Sequence, residues 1–441
     1  MEERIVPERP PFAEALRFWF KLGWISFGGT AGHIAIMHDF LVDKRKWISN
    51  SRFFHALSFC MLLPGPEAQQ LAIYIGWKLH GKKGGLAAGT LFVLPSMFVL
   101  LALSIAYVLF GNLPWITSLF NGLKPAVIAI IIVALFKVGQ KALRNPLHYV
   151  VAAISFACIF FYNVSLPAII GGAIVLTLVI RWVWPGLLQR TGEAELAADG
   201  EEGYYLNKYR VADDAGLGIR SLLGEVAIFL VFWLVPLTAF FLFSGAFGFW
   251  KSLILFWTQA AFFTIGGSYT VLPYVAQFAV AKLNWLSKPQ MIDGFALAET
   301  TPGPLIIVVA FVGFMAGFHH FNGSIAMGSL ALIVTTFYTF LPCFLFIFAG
   351  GGFIEKTHNN TVAGQMLGVV TAAIVGVIGN LTLFLGKDVI FPGGVTVRHL
   401  DIAALGWIAV CLLLILRFRM NVVYLILLSL AFGLSRYFLV F

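Results

Sequence analysis

Two Pro-Gly-Pro triplets interrupt long apolar stretches of this 441-residue chain, Pro64-Gly65-Pro66 and Pro302-Gly303-Pro304. A proline has no backbone N–H, so a helix that runs through either triplet leaves carbonyl groups of the preceding turn without partners. In hydrocarbon such a carbonyl costs several kcal/mol, and broken backbone survives at membrane depth only where it is buried in protein or lines a wet cavity. Each triplet therefore predicts a polar site inside the membrane rather than a surface that faces lipid.

The triplets belong to an internal duplication. Four landmarks recur at a single offset of 238 residues: Gly28-Gly29 as Gly266-Gly267, Trp47 as Trp285, Ser49 as Ser287, and Pro64 as Pro302. One offset shared by four landmarks is hard to obtain by chance. The chain therefore builds its central structure twice.

The composition sets the class of protein. The chain is 60% hydrophobic and 11% charged, whereas soluble domains carry about 25% charged residues. It lacks the short alternating strands of a membrane β-barrel, which leaves an all-α polytopic membrane protein in a lipid bilayer. The net charge of +9 is scattered between apolar runs. It is therefore better explained by loops that set topology than by a nucleic-acid surface.

The apolar pattern divides the chain into two repeats. Thirteen apolar segments are each near the roughly 20 residues that a membrane helix needs. They give a first repeat over residues 1–184, a solvated acidic linker over 185–222, an extra transmembrane helix over 223–249 and a second repeat over 250–441. Because the extra helix is one additional crossing, the second repeat enters from the opposite face, which predicts an inverted-topology repeat.

Loop charge predicts the orientation. Loops rich in Lys and Arg tend to be cytoplasmic. This rule places the amino terminus, the linker and the 417–419 turn in the cytoplasm and the carboxyl terminus outside. One loop disagrees, since Lys44, Arg45 and Lys46 would lie outside by simple alternation. The disagreement disappears if the Gly-Gly and Pro-Gly-Pro breaks are the tips of re-entrant hairpins. Broken but spanning helices are the alternative, and the sequence leaves both open.

The motifs together resemble those of the chromate ion transporter family, in its long two-domain form. The resemblance covers nearly the whole chain and is carried by Gly28-Gly29, Val42-Asp43, Trp47 and Pro64-Gly65-Pro66. The family pattern usually has Glu where Asp43 stands. In the second half the Gly-Gly pair, Trp285 and the Pro-Gly-Pro triplet recur, but Ala281 replaces the acidic residue.

The resemblance implies a transporter rather than an enzyme. The implied function is secondary transport of a tetrahedral oxyanion, with chromate efflux across the plasma (inner) membrane as the first choice and sulfate as a competing substrate. A passive anion channel, a sulfate-type uptake carrier and a membrane enzyme or lipid-handling protein are the alternatives. No cofactor and no metal site are expected, and self-association into a homo-oligomer is left open.

The residues around the breaks predict the substrate site. A helix that restarts after Pro66 presents unpaired N–H groups and a partial positive charge, which suits an anion. Glycine pairs let a ligand approach the backbone, and neighbouring hydroxyl groups and an amide can bind it. The predicted substrate-binding set is Ser26, Gly28, Gly29, Thr30, Pro64, Gly65, Pro66, Gln69, Thr264, Gly266, Gly267, Ser268, Pro302, Gly303 and Pro304. The alternative is that these small residues only let helices pack closely.

Three ionisable residues inside apolar segments are candidates for proton coupling: Glu67, Glu299 and His33. Glu67 directly follows the first triplet, so its carboxylate and a bound anion would compete for the same N–H groups. Substrate binding should therefore favour protonation of Glu67, and protonation should tighten binding. The alternatives are a structural carboxylic acid for Glu67 and Glu299 and a helix-packing role for His33.

Overall fold

The protein is described by a computed structural model over residues 8–26, 29–184, 186, 188, 203–207, 219–264, 271–356, 361–394 and 396–440. The predicted all-α architecture is confirmed, since the described residues form sixteen α-helices with short π-helical and 3₁₀ turns and no sheet. The helices are α1 Phe12–Ile25, α2 Gly29–His38, α3 Asn50–Cys60, α4 Glu67–Phe110, α5 Pro114–Ala142, α6 Pro146–Tyr162, α7 Leu166–Val183, α8 Ile219–Phe243, α9 Phe247–Phe263, α10 Val271–Val275, α11 Lys288–Thr300, α12 Val308–His320, α13 Ile325–Lys356, α14 Thr361–Ile390, α15 Ile402–Leu416 and α16 Val422–Val440.

Seven helical stretches in the described part of the chain are long and apolar enough to cross a membrane. They lie in α4, α5, α7, α8, α13, α14 and α16, and the shorter apolar helices are α6, α12 and α15. The helix α4 is kinked, because His80 and Gly81 leave helical geometry. These lengths agree with a polytopic membrane protein.

Four of the thirteen apolar segments are each broken into two shorter helices. The breaks fall at the Gly-Gly pairs, between α1 and α2 and between α9 and α10, and at the triplets, between α3 and α4 and between α11 and α12. The helices α1, α3, α11 and α12 have 14, 11, 13 and 13 residues. Each is shorter than the roughly 20 residues that cross the hydrocarbon.

In three of the four pairs, contacts show that the second helix folds back along the first. Glu14 near the start of α1 forms an ion pair of 2.6 Å with Arg45, beyond the end of α2. In the second half, Phe256 of α9 lies 5.2 Å, centroid to centroid, from the ring of Trp285. His319 at the end of α12 contacts the Trp285 carbonyl, just before α11, at 2.8 Å. These contacts favour helical hairpins over straight broken helices.

The duplication is visible in the backbone of the hairpin bases. Each half has a π-helical turn, Asp39–Lys44 or Ala276–Lys282, and after it a left-handed residue, Lys46 or Asn284. The next helix then starts from a serine cap in each half. All of these features are related by the 238-residue offset, so the repeated sequence does fold into a repeated structure.

The two halves interlock rather than forming separate bodies. The helix α5 of the first half packs against α15 and α16, while α14 of the second half packs against α6 and α7. Close approach is possible because glycines stand at the crossings. Gly122 lies against Gly433, and Gly376 lies against the backbone of Ala152. The hairpins of both halves are therefore held in one scaffold.

The described part of the linker lies against the base of the first hairpin. Tyr205 N donates to Lys46 O at 3.1 Å, Leu206 N donates to Trp47 O at 2.9 Å, and Ser49 N donates to Leu206 O at 3.0 Å. Lys82 also pairs with Glu225 at the start of α8. The loops of the first-half hairpins therefore share one end of the bundle with the linker.

Candidate functional site

The hairpin tips of the two halves meet and exchange hydrogen bonds. Gly65 N donates to the carbonyl of Thr264 at 2.6 Å, and Gly303 N donates to the carbonyl of Ser26 at 2.7 Å. The two bonds are equivalent at the 238-residue offset. Each Pro-Gly-Pro tip is thus joined to the Gly-Gly break of the other half, and the four breaks form one site.

The central glycine of each triplet is required by backbone geometry. The φ angles of Gly65 and Gly303 are +112° and +108°, a region that side chains other than glycine rarely adopt. There is also little free space around these two glycines. A Cβ on Gly65 would lie 2.9 Å from Cys343 Sγ, and one on Gly303 would lie 2.5 Å from Ser96 Oγ. The tips are therefore close-packed on helices of the opposite half.

Ser96 and Cys343 lie against the tip glycines and were not predicted from the sequence. Each follows a proline inside a long helix, Pro95 in α4 and Pro342 in α13. These Pro-Ser and Pro-Cys pairs recur at an offset of 247 rather than 238. A search of the sequence after each triplet for repeats at an offset other than 238 would have found these two pairs.

The hydroxyl groups at the tips donate to their own helices. Ser26 Oγ donates to Leu22 O, and Thr264 Oγ1 donates to Ala260 O at 2.6 Å. In this conformation these hydroxyls offer lone pairs rather than protons. Anion recognition at the site would thus rest on backbone N–H groups more than the sequence pattern suggests.

The helix α4 starts directly after the first triplet and has no side-chain cap. Its first N–H groups therefore have no partner within the helix and no capping side chain from Pro66. Gln70 Nε2 donates to Pro64 O at 2.5 Å, which fastens the triplet to α4. Gln69 is buried, and its Nε2 donates to Gly89 O at 3.3 Å. That bond makes Gln69 part of the helix packing in this conformation.

Each tip has one glutamate beside it, and two lysines of α5 lie within electrostatic range. The Glu67 carboxylate lies near the N–H of its own residue and within electrostatic range of Lys141. Glu299, three residues before the second triplet, interacts with Lys137. Both lysines lie one turn apart on α5 and are exposed. The sequence reading singled out the two glutamates but not these lysines.

Access to the two tips differs. Met61, before the first triplet, is 38% exposed, and residues 62–64 are partly exposed. In the second half residues 301–304 are all buried. The first tip is therefore the one that an ion could approach in this conformation.

Other predicted residues lie near the tips or outside the described residues. Gly29 begins α2, and Thr30 follows it, partly buried. His33 is buried, with its ring 5.2 Å from that of Phe92, centroid to centroid. Gly28, Gly266, Gly267 and Ser268 lie outside the described residues.

The remaining motif residues lie at the hairpin bases, not at the tips. Val42 is buried in the first π-helical turn, and exposed Asp43 contacts His38 Nδ1 at 3.1 Å. The ring of Trp47 lies 6.4 Å from that of Phe18, centroid to centroid, and at the same offset the ring of Trp285 lies 5.2 Å from that of Phe256. Among the described residues, no group of three or more His, Cys, Asp or Glu side chains could hold a metal ion.

Comparison with known proteins finds relatives that align over most of the chain. The chain is similar to a probable chromate transport protein of Synechococcus elongatus, 27% identical over 84% of each chain. It is 28% identical to a chromate transport protein of Cupriavidus metallidurans, over 85% of this chain and 82% of the relative. It is 29% identical to a chromate transport protein of Pseudomonas aeruginosa, over 87% of this chain and 83% of the relative.

No solved structure matches the chain. The family model described as chromate transporter matches residues 13–178 and 250–434, which fall in the two halves and together contain all four breaks. The chain belongs to the chromate transporter family.

Proposed function

We propose that the protein is a secondary transporter that binds a tetrahedral oxyanion where the hairpin tips of its two halves meet. The observation that carries this proposal is the exchange of hydrogen bonds between Gly65 and Thr264 and between Gly303 and Ser26. That exchange brings broken helix ends from both halves to one point. Helix starts with unpaired N–H groups favour anions, and discontinuous helices at a repeat interface are the usual substrate sites of such carriers.

Chromate is the proposed substrate, with sulfate as a competitor. Three relatives that align over most of this chain are named chromate transport or probable chromate transport proteins. Sulfate has the same tetrahedral shape and charge as chromate. Backbone N–H groups contact the oxygens of the anion and not its central atom, so both anions should bind at the same site. We infer efflux across the plasma membrane as the direction, with a homo-oligomer as an open alternative to a monomer.

We propose an inverted arrangement of the two halves. The base of the first hairpins shares its end of the bundle with the linker, through Trp47 and Leu206. The base of the second hairpins follows α8, which is long enough to reach the other side. If α8 crosses once, the equivalent loops lie on opposite faces. If the hairpins are re-entrant, Lys44, the linker and the amino terminus all lie on the cytoplasmic face. This placement agrees with the enrichment of Lys and Arg in cytoplasmic loops.

Coupling to protons is proposed to pass through Glu67. Its carboxylate lies near the N–H of its own residue at the α4 start, the kind of group that the anion would need. Two negative charges at one helix start repel each other. A proton on Glu67 and an oxyanion at the tip should therefore bind together, and Glu299 is the second candidate.

Oxyanion flux into proteoliposomes tests the proposal, with membrane potential and pH gradient imposed separately. The proposal expects saturable chromate flux that responds to an imposed pH gradient and is inhibited by sulfate. A passive channel would instead give flux that follows only the electrochemical gradient of the anion. Absence of any oxyanion flux from folded protein would reject the proposed function.

A further inference from the structure

A polar cluster around the buried carboxylate of Asp293 lies away from the tips and joins the two halves. Lys124 Nζ of α5 lies 3.7 Å from Asp293 Oδ1 of α11, with the lysine and aspartate side chains 20% and 8% exposed. Tyr107 of α4 donates its hydroxyl to Asp293 Oδ2 at 2.9 Å. Two first-half helices thus hold a carboxylate on a hairpin of the second half.

The burial of Asp293 makes this contact a strong constraint on the position of α11. A charged pair removed from water gains little net stability, but loss of one partner leaves the other charge buried and uncompensated. Ionisable groups inside membrane proteins are rare and generally functional. The bond from Tyr107 also fixes the direction of the carboxylate. A movement of α11 along α5 would therefore break the Lys124 contact, and a movement along α4 would break the Tyr107 bond.

The residue types of this cluster do not recur at the equivalent described positions around the first-half hairpin. At the 238-residue offset Asp293 corresponds to His55. The helices α5 and α14 are related by an offset of 247, at which Lys124 corresponds to Thr371. The ionic contact therefore serves the second-half hairpin alone.

We propose that Asp293, held by Lys124 and Tyr107, is a positioning residue that fixes the second-half tip in the oxyanion site. The inference rests on the proposed function. Asp293 and Thr300 lie seven residues apart in one helix, about 10 Å along its axis. A rigid helix transmits the position of its base to its tip, where Gly303 donates to the carbonyl of Ser26. Asp293 thus acts through the tip, without touching the anion.

The test compares Asp293→Asn with a matched control, Asp388→Asn. Asp388 pairs with Lys288 at the start of α11 at 3.3 Å, but both side chains are about one third exposed, 33% and 32%. We expect Asp293→Asn to raise the KM for chromate flux in proteoliposomes by about tenfold, within the range of typical coupling between sites, while Asp388→Asn leaves it unchanged. Asp293→Glu, which keeps the charge beside Lys124, should restore most of the affinity.

A second readout does not depend on transport. Thr301 is buried, so a Thr301→Cys probe, in a chain without its native cysteines, should react slowly with a maleimide. Asp293→Asn should speed this reaction several-fold, and Asp388→Asn should not. An unchanged KM together with unchanged labelling would overturn the inference, as would a fall in protein level with normal KM. Wild-type protein without oxyanion flux would reject the proposed function, while the labelling would still decide the role of Asp293.

Discussion

The two halves of the protein share a backbone and differ in side chains. Both have a π-helical turn, a left-handed residue, a serine cap and a glycine with φ near +110° at the same offset. The acidic positions near the tips and in the π-helical turns are not shared. Glu67 corresponds to Leu305, Glu299 to Met61, and Asp43 to Ala281. The comparison teaches that the duplication supplies the backbone geometry of both tips. The acidic residue beside each tip is specific to its own half.

The bases of the hairpins differ as well. In the first half the carbonyl of Trp47 accepts a hydrogen bond from Leu206 of the linker. In the second half the equivalent carbonyl, that of Trp285, contacts the ring of His319 at the end of α12. The first base is thus held by a segment outside its repeat, and the second by its own hairpin. The first half is therefore the half that the linker can influence.

The largest expected effect is an all-or-none difference in labelling between equivalent positions. Lys44 and Lys282 end the two π-helical turns and are both exposed. In cysteine-free protein, Lys44→Cys should react with an impermeant maleimide from the cytoplasmic side and Lys282→Cys from the other side. A Lys82→Cys variant should react from the same side as Lys44→Cys. Reaction of both probes from the same side would reject the inverted arrangement.

The glycines at the two tips should be sensitive to different degrees. A positive φ costs a side chain about 1–2 kcal/mol, and overpacking adds about 1–3 kcal/mol. Gly303→Ala should be the more damaging, because its Cβ would meet both Oγ and Cβ of Ser96, at 2.5 and 2.6 Å. Gly65→Ala meets the more movable Cys343 and Gln70 side chains.

The measurement is chromate flux together with thermal stability in detergent. Gly171→Ala is the control, since a Cβ there meets nothing within 4 Å. Equal, mild effects of all three variants would show that the tips are not close-packed in the membrane.

The carboxylates should differ in their effect on pH dependence. If protonated Glu67 binds together with the anion, wild-type affinity falls as pH rises, by about tenfold from about pH 5 to 8. Glu67→Gln resembles the protonated form, so it should retain oxyanion binding and lose most of this dependence. Glu299→Gln, at the other tip, should keep it. A wild-type pH profile in Glu67→Gln would make Glu67 a structural acid and Glu299 the next candidate.

The smallest effect is expected at the linker contact. Leu206 is 5% exposed, and loss of a buried leucine side chain costs about 2 kcal/mol or more. Leu206→Ala should therefore speed tryptic cleavage after Lys208 or Arg210, while chromate flux stays near the wild-type value. Leu223→Ala, at an exposed position, is the control. Flux that falls in step with cleavage would instead assign the linker a direct part in transport.

Much of the fold follows from the sequence, because hydrophobic length and helix-breaking residues are local properties. The prolines and glycines predicted the breaks correctly, and the 238-residue offset predicted the repeated structure. The sequence pattern could not show that α12 folds back along α11. Apolar length alone fits a hairpin and a broken spanning helix equally well, and only contacts such as that of His319 with Trp285 distinguish them.

The candidate site was predicted less completely. Motif spacing marked Gly65, Gly303 and their neighbours, but which break meets which depends on the packing of the two halves. The direction of a hydroxyl group, as at Ser26, depends on a carbonyl one turn away. Lys124 and Asp293 are 169 residues apart in the chain. No periodicity links them, so their contact could not be read from the sequence.

The most direct test of the central claim is protection of the first tip by the oxyanion. Met61 is exposed beside the triplet, so a Met61→Cys probe in cysteine-free, transport-competent protein reports on that point. Sulfate and molybdate are suitable ligands because chromate oxidises thiols. We predict that either tetrahedral dianion slows maleimide labelling of Met61→Cys, while chloride does not and Lys44→Cys is unaffected. Labelling that proceeds at the same rate in saturating oxyanion, in protein that transports it, would contradict a binding site where the tips meet.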